Sequence, residues 1–450
     1  MIHKFCMGNT YIVADVYSGA VHVVSPVVYD LLDHMDESNV TLSDDTLQAL
    51  APKYGEETVR EAFAEIQTLY QAGALFAEDE YQAIAQHWDK QSVVKALCLH
   101  ITHDCNMRCK YCFADTGEYG GERSLMPAAV GKKAIDFVIE QSHGRKNIEI
   151  DFFGGEPLMN FGAVKEILEY AEQQGTQHGK VFRFTITTNG LLLNDEISDY
   201  INQHMSNVVL SIDGRKEVHD AARPRVNGSG TYDAVVPKYQ KLAESRNQDN
   251  YYVRGTFTAQ NLDFSKDALH LADLGFQQIS IEPVVLPDSH PLALRKEHLP
   301  QLYQEYETLA NAYIQRRKKG QGFNFFHFMI DFSQGPCAYK RLSGCGAGHE
   351  YVAITPEGDI YPCHQFVGNK EFLMGNVITG GFDQTIRDKF LRTNIYTKDA
   401  CRDCWAKFYC SGGCMANAQN FNGDINKPYE LACELERKRV ECAMYIAANT

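Results

Sequence analysis

From about residue 93 to residue 319 the chain alternates strand-like and helix-like segments with a regularity that leaves few folds open. Six short apolar runs predict strands: Val93–Thr102, Ile148–Phe153, Phe182–Thr188, Val208–Ile212, Tyr252–Thr258 and Gln278–Val285. Between and after them, helical periodicity runs through Pro127–Gln141, Phe161–Gln174, Asp195–His204, Tyr232–Arg246, Phe264–Leu274 and His298–Arg317. Six β/α units make a partial (β/α)6 barrel, short of the eight that close one, and chemistry in such folds sits on the loops after the strands' C-terminal ends. The loop after the first strand reads Cys105-Asn106-Met107-Arg108-Cys109-Lys110-Tyr111-Cys112. Three thiolates on one loop can hold three corners of a 4Fe-4S cube and leave the fourth iron without a protein ligand. A zinc loop or three buried thiols are the alternatives, but zinc sites usually complete four protein ligands and this loop offers no fourth.

Other segments flank this core. Residues 1–80 predict a small domain: β-rich runs at Tyr11–Val16 and Ala20–Val24 around a turn at Ser18-Gly19, then helices from Pro26 to Leu32, Ser43 to Leu50 and Glu56 to Ala72. That order is winged-helix-like. Residues 81–92 predict a linking helix, and 320–336 an aromatic bridge holding Phe323, Phe325, Phe326, Phe328 and Phe332. Residues 337–450 are rich in cysteine, and only Glu430–Ala448 reads as helix. Residues 1–90 carry fifteen Asp and Glu against four Lys and Arg, which argues against a nucleic-acid partner. No apolar run is long enough to span a bilayer and the first residues lack a secretory h-region, so no membrane partner and a cytoplasmic location are expected. Fourteen cysteines then point to metal or redox chemistry rather than disulfides.

The remaining strand ends carry recognisable segments. The second ends in Gly154-Gly155-Glu156-Pro157, the third in Thr187-Thr188-Asn189-Gly190, and the fourth in Ser211-Ile212-Asp213-Gly214, with Arg223 downstream. Each could be a plain turn after a strand. Together with CxxxCxYC, however, GGEP resembles the radical S-adenosylmethionine (SAM) enzymes. That resemblance implies that Cys105, Cys109 and Cys112 hold the SAM-cleaving cluster. It also implies that Gly154, Gly155 and Glu156 lie at the SAM amino group, and Tyr111 beside the adenine through its backbone. Asn189, Ser211 and Arg223 would contact the ribose and methionine carboxylate, and Ile281 would pack against the adenine.

The C-terminal cysteines form the set Cys401-x2-Cys404-x5-Cys410-x3-Cys414, preceded by Cys345 and Cys363 and followed by Cys433. CxxC pairs alone could make a zinc ribbon. The whole set resembles the SPASM extension of radical SAM enzymes, which implies two auxiliary 4Fe-4S clusters and three clusters in all. One would take Cys401, Cys404, Cys410 and Cys433, and the other Cys345, Cys363 and Cys414. Cys337 is either that cluster's fourth ligand, or an open iron there accepts a substrate thiolate. Cys6, Cys98 and Cys442 fit no ligand pattern. The opening Phe5-x2-Gly8-Asn9-x-Tyr11-Ile12-Val13 and Asp15-Val16-x-Ser18-Gly19 resemble the maturases of SCIFF peptides, which form Cys-to-carbon thioethers in a six-cysteine precursor. Implied partners are a cysteine-rich precursor peptide, bound through its leader as an added strand, and a flavodoxin- or ferredoxin-type electron donor. The implied acceptor carbon belongs to Thr. A sulfatase-type formylglycine-generating enzyme is the nearest alternative; that family places Asp after the cysteine matching Cys363, where this chain has His364. A peptide epimerase or carbon–carbon crosslinker comes next. A non-enzymatic iron–sulfur carrier fits least, because a carrier needs no SAM-binding segments.

Overall fold

The computed structural model describes residues 1–86, 93–332 and 341–450. Its first unit is an antiparallel sheet, β1 (Ile2–Met7), β2 (Thr10–Asp15) and β3 (Val21–Val24), in that spatial order. Helices α1 (Pro26–Leu31), α2 (Asp44–Tyr54) and α3 (Glu56–Gln71) follow. Ser25 caps α1, with Pro26 at its first position, and Ser43 caps α2 by accepting from the Thr46 amide at 3.1 Å. Val59 and Ile66 of α3 are sealed against Val28 and Leu31 of α1, giving this unit a core of its own. β1 is a strand that the sequence did not announce. Its residues His3, Lys4 and Cys6 break the apolar pattern, and its outer side is covered from far along the chain. The His3 ring stacks on Trp405 at 3.7 Å, and its Nε2 lies 3.1 Å from Glu441. Short α4 (Tyr81–Gln86) occupies the start of the expected linking helix, whose remainder lies outside the described residues.

The central sheet is built from β4 (Ala96–Thr102), β5 (Asn147–Gly154), β6 (Val181–Thr188), β7 (Asn207–Ser211), β8 (Tyr251–Phe257) and β9 (Gln278–Pro283), all parallel and each beside its predecessor. Helices α5 (Ala128–Gln141), α6 (Phe161–His178), α7 (Asp195–His204), α8 (Lys216–Ala222), α9 (Tyr232–Ser245), α10 (Phe264–Asp273) and α11 (Leu299–Lys318) complete the β/α units. Short α8 is additional to the six expected helices. Along the strands, alternate residues are sealed: Ile148, Ile150 and Phe152 in β5, and Val253 and Phe257 in β8. Phe153, which follows Phe152, and Arg254 and Thr256, between Val253 and Phe257, line a cavity at the strand ends.

This sheet does not stop at six strands. β10 (Asn324–Phe325) adds in parallel beside β9. On the other edge β11 (Tyr351–Ile354) pairs in parallel with β4, and β12 (Asp359–Tyr361), β13 (Gly375–Asn376) and β14 (Gly380–Phe382) follow antiparallel. Strands of two to four residues carry too little alternation to be read from sequence. They fuse the cysteine-rich region to the barrel edge, where Lys95 pairs with Glu350 at 2.6 Å. The region also holds helices at Gln384–Arg392 and Met415–Asn422, where the sequence shows little helical periodicity. The C-terminal helix Glu430–Asn449 lies on α11, with Arg439 Nε donating to the Tyr306 hydroxyl at 2.9 Å and Lys438 pairing with Glu307 at 2.6 Å. Among the described residues no helix is long and apolar enough to cross a membrane.

Candidate active site

The three-cysteine loop leaves β4 at Thr102 and is anchored from three sides. Asp104 Oδ1 accepts from the Cys105 amide at 2.8 Å, capping the turn from within. The Arg108 and Lys110 amides donate to the carbonyls of Pro224 and Ala222 at 2.8 and 2.9 Å, fastening the loop to the segment after α8. The Gly155 and Glu156 amides donate to Thr102 and Asp104 at 2.8 and 2.9 Å, fastening it to the end of β5. That approach explains the glycine pair. A Cβ on Gly154 would stand 2.3 Å from the Thr102 carbonyl oxygen, and one on Gly155 would stand 2.0 Å from that of Asp104.

Two buried carboxylates hold the mouth. Glu156 is 1% exposed and accepts from the Leu158 amide, the Thr188 hydroxyl and the Asn189 amide at 3.0, 2.7 and 2.7 Å, which joins the ends of β5 and β6. Burial pushes it up to about 7 against those three donors. Its side chain is turned away from the cavity, while Gly154 and Gly155 line it. Asp213 is fully buried beyond β7. It accepts from the Tyr111 hydroxyl at 2.8 and 2.7 Å, Arg223 Nε at 3.0 Å and the Thr256 amide at 2.9 Å. The Arg223 guanidinium lies over the Tyr111 ring, 5.4 Å from its centre. His219 and Thr231 close this network: His219 accepts the Asp213 amide at 3.3 Å, and the Thr231 hydroxyl donates to the Arg223 carbonyl at 2.7 Å. Sequence reasoning passed over Asp213, because Asp-Gly after a strand reads as a turn.

A cavity of about 690 Å³ opens between the barrel mouth and the C-terminal region. Cys105, Cys109 and Cys112 line one side, and Cys345, Cys410, Cys414 and Cys433 the other. Tyr111, Asn189, Ser211 and Arg223 are on its wall, whereas Ile281 is sealed in the core away from it. Asn189 Nδ2 reaches the loop, 2.8 Å from Asn106 Oδ1 and 3.5 Å from the Cys105 sulfur. Arg254 and Glu282 also face the cavity, without any motif to flag them, and so does His364, the residue after Cys363.

The cysteines fall into three electrostatic groups. Cys105 feels Cys109 and Cys112; Cys363 feels Cys414 and Cys345; Cys410 feels Cys433, Cys401 and Cys404. Cys337 lies outside the described residues. Burial above all raises these thiols, Cys105 to about 12, Cys109 to about 11 and Cys433 to about 11. Grouped buried thiols become thiolates only beside added positive charge, so they fit iron that binds with proton release. Among the described residues no three His, Cys, Asp or Glu side chains converge closely enough to share one metal ion.

Fold and site together define a class. Residues 99–264 match the Radical SAM superfamily, and residues 345–405 match SPASM, an iron–sulfur cluster-binding domain. The chain therefore carries a radical SAM domain followed by a SPASM domain, and these domains imply SAM and 4Fe-4S iron–sulfur as cofactors. Its relatives narrow the comparison. It is 28% identical over 347 residues to mycofactocin maturase MftC of Mycobacterium ulcerans, covering 73% of this chain and 85% of the relative. It is 23% identical to a cysteine-type anaerobic sulfatase-maturating enzyme of Clostridium novyi, covering 74% and 90%. Among solved structures, anSMEcpe with bound AdoMet superposes with a TM-score of 0.65 at 16% identity, covering 80% of this chain and 96% of that one. SuiB of Streptococcus suis bound to its precursor peptide SuiA superposes with a TM-score of 0.54 at 16% identity, covering 94% and 96%. At such identities the structures share the fold.

Proposed function

We propose that this protein is a peptide-modifying maturase that closes thioether crosslinks, joining a Cys sulfur to a carbon of Thr, within a ribosomally made cysteine-rich precursor. The observation that carries the reading is the single cavity with the three-cysteine loop on one side and C-terminal cysteines on the other. It gives a hydrogen-abstracting centre and a sulfur- or electron-handling centre access to one substrate. The likeness to MftC and to peptide-bound SuiB supports a peptide substrate.

Cys105, Cys109 and Cys112 would hold the SAM-cleaving cluster. Cys401, Cys404, Cys410 and Cys433 would hold a second cluster, and Cys345, Cys363 and Cys414, with or without Cys337, a third. When bound, the cluster at Cys105 and SAM supply a one-electron cleavage that yields a carbon radical able to take hydrogen from the substrate. The residues of the chain do the positioning. Asp213 orients Tyr111 and Arg223 toward the SAM pocket, the Gly154-Gly155 backbone brings the end of β5 against the loop, and Asn189 spans loop and β6. Residues 1–80 would recognise the leader. β3 is the edge of its sheet, and Val23 at 58% exposure presents it for pairing with an added strand. Residues 81–92 would link that unit to the barrel at 93–319, with 320–336 as a bridge into the SPASM domain at 337–450. A flavodoxin- or ferredoxin-type protein would supply electrons in the cytoplasm.

The test is mass spectrometry of a six-cysteine precursor peptide after reaction with reduced protein and SAM. A thioether removes two hydrogens from the peptide and one thiol from alkylation. Cys105→Ala must abolish both the crosslink and 5′-deoxyadenosine, and crosslinking by that variant would sink the proposal. A second reading, oxidation of Cys or Ser to formylglycine, draws on the sulfatase-maturating relatives. Its product carries an aldehyde that a hydrazide labels, which a thioether does not.

A further inference from the structure

Lys398 is 1% exposed. A lysine this deep is seldom found unless its charge is matched. Lys407, equally buried, shows the usual solution: its ammonium lies 3.4 Å from Asp79, donates to the Arg402 carbonyl at 3.0 Å and faces the Tyr17 ring. Lys398 differs. Among the described residues its ammonium makes one hydrogen bond, to the Gly412 carbonyl at 2.7 Å, and it forms no ion pair with a carboxylate. Gly412 sits in the turn Cys410-Ser411-Gly412-Gly413-Cys414 at φ +83, and a Cβ there would meet the Lys398 ammonium at 3.3 Å. The lysine is therefore clasped by the turn that separates Cys410 of one C-terminal set from Cys414 of the other. On its own side the Cys401 amide donates to the Lys398 carbonyl at 2.9 Å. Burial lowers Lys398 from the usual lysine range, and the groups that work against that loss of charge are sulfurs of both sets: Cys401, Cys410 and Cys433 from one, Cys414 from the other.

As neutral thiols those sulfurs would leave a buried ammonium unmatched; as cluster thiolates they match it. Resting on the reading that both sets hold clusters, we propose that Lys398 is the shared counter-cation of the two C-terminal centres and raises the reduction potential of both. Reduction adds one negative charge to a cluster, and a fixed cation in a dry interior favours that added charge. The SAM-cleaving centre at Cys105, Cys109 and Cys112 lies across the cavity and does not share this cation.

The test is an anaerobic redox titration, followed by electron paramagnetic resonance, of the reconstituted full-length protein and of Lys398→Met and Lys398→Arg. Lys398→Met is expected to lower the reduced-to-oxidised ratio of both C-terminal centres about tenfold at a given potential, or about 59 mV for a one-electron couple. Lys398→Arg should stay within about threefold of the wild type, and the SAM-cleaving centre should be unmoved in both. Should Lys398→Met fail to load iron, Lys398→Gln, which keeps a donor to Gly412 without the charge, carries the comparison. Loss of C-terminal iron by both uncharged variants, with full loading of Lys398→Arg, supports the same role. C-terminal potentials in the uncharged variants within threefold of wild type would overturn it. Wild-type protein with iron for the Cys105 centre alone would instead overturn the reading of the cysteine sets.

Discussion

Asp213→Ala removes one fully buried carboxylate and strands three donors at once. The Arg223 side chain is 11% exposed and would keep its charge without a partner. The Tyr111 hydroxyl and the Thr256 amide would lose bonds of 2.7 and 2.9 Å. Breaking a buried ion pair from one side costs about 3–5 kcal/mol, because the surviving charge stays desolvated. Asp213→Asn keeps an oxygen for the Thr256 amide but opposes no charge to Arg223, so about 2 kcal/mol is expected. The double variant Asp213→Leu/Arg223→Met removes both charges and should be more stable than Asp213→Ala alone. Hydrogen exchange reports this locally, since the Thr256 amide is itself one of the donors. A loss of about 3 kcal/mol speeds its exchange roughly a hundredfold. SAM affinity of the reconstituted protein should fall in the same order, Ala below Asn below wild type, because Tyr111 and Arg223 lose their common anchor. Thr256 exchange within threefold of wild type in Asp213→Ala, together with strict additivity of the Asp213 and Arg223 changes, would refute the reasoning.

Gly155→Ala places a Cβ 2.0 Å from the Asp104 carbonyl oxygen; it should cost about 1–3 kcal/mol and lower the iron bound at Cys105, Cys109 and Cys112, read by melting temperature and iron content. Burial first, and then Glu149, raises Asp151 from 3.8 to about 6. Its contribution to stability is therefore complete below the lower value and lost as pH rises through the upper one. Asp151→Asn should remove that slope and leave the protein more stable by about 2 kcal/mol at pH 8, measured by urea melts at pH 4 and pH 8. Lys407→Met deletes the pairing with Asp79 at 3.4 Å and the contact with Tyr17. Amides of β1 and β2 should then exchange about tenfold faster, while those of β4–β9 are unchanged.

The barrel could be read from the sequence because its strands and helices are long and periodic, and because parallel β/α units admit few arrangements. CxxxCxYC, GGEP and the C-terminal cysteine spacing were likewise visible, since their residue types are scarce and their spacing is local. What escaped depends on distant contacts. β1 is covered by Trp405 and Glu441, some four hundred residues on. β11 to β14 are too short for alternation to register and take their place from the edge of β4. Asp213, Arg254 and Glu282 have no local signature, and Arg254 and Glu282 meet His364 on one cavity only through the tertiary fold. Lys398 and Lys407 are alike in sequence, each three residues before a cysteine, and equally buried, so only their partners separate their roles.

The two carboxylates at the barrel mouth are unequal anchors, and the difference bears on how the cysteine loop is held. Both are buried, and each ties together segments that chain connectivity leaves apart. Asp213 faces a guanidinium at 3.0 Å, so its hold on Tyr111 and the loop's far end is an ion pair that needs the carboxylate charged. Glu156 faces only neutral donors, two amides and a hydroxyl, and burial carries it up to about 7. A protonated Glu156 can still accept the Leu158 and Asn189 amides, because each oxygen of a neutral acid keeps acceptor capacity. The near end of the loop is further secured by backbone bonds at Gly155 and Glu156 that do not titrate. The two ends of the loop are therefore held differently, by an ion pair on the Asp213 side, where Tyr111 and Arg223 line the cavity, and by neutral donors and backbone bonds on the β5 side. The cysteine anchorage at β5 does not depend on that charge, so Asp213→Asn should lower SAM affinity before it costs the iron at Cys105, Cys109 and Cys112.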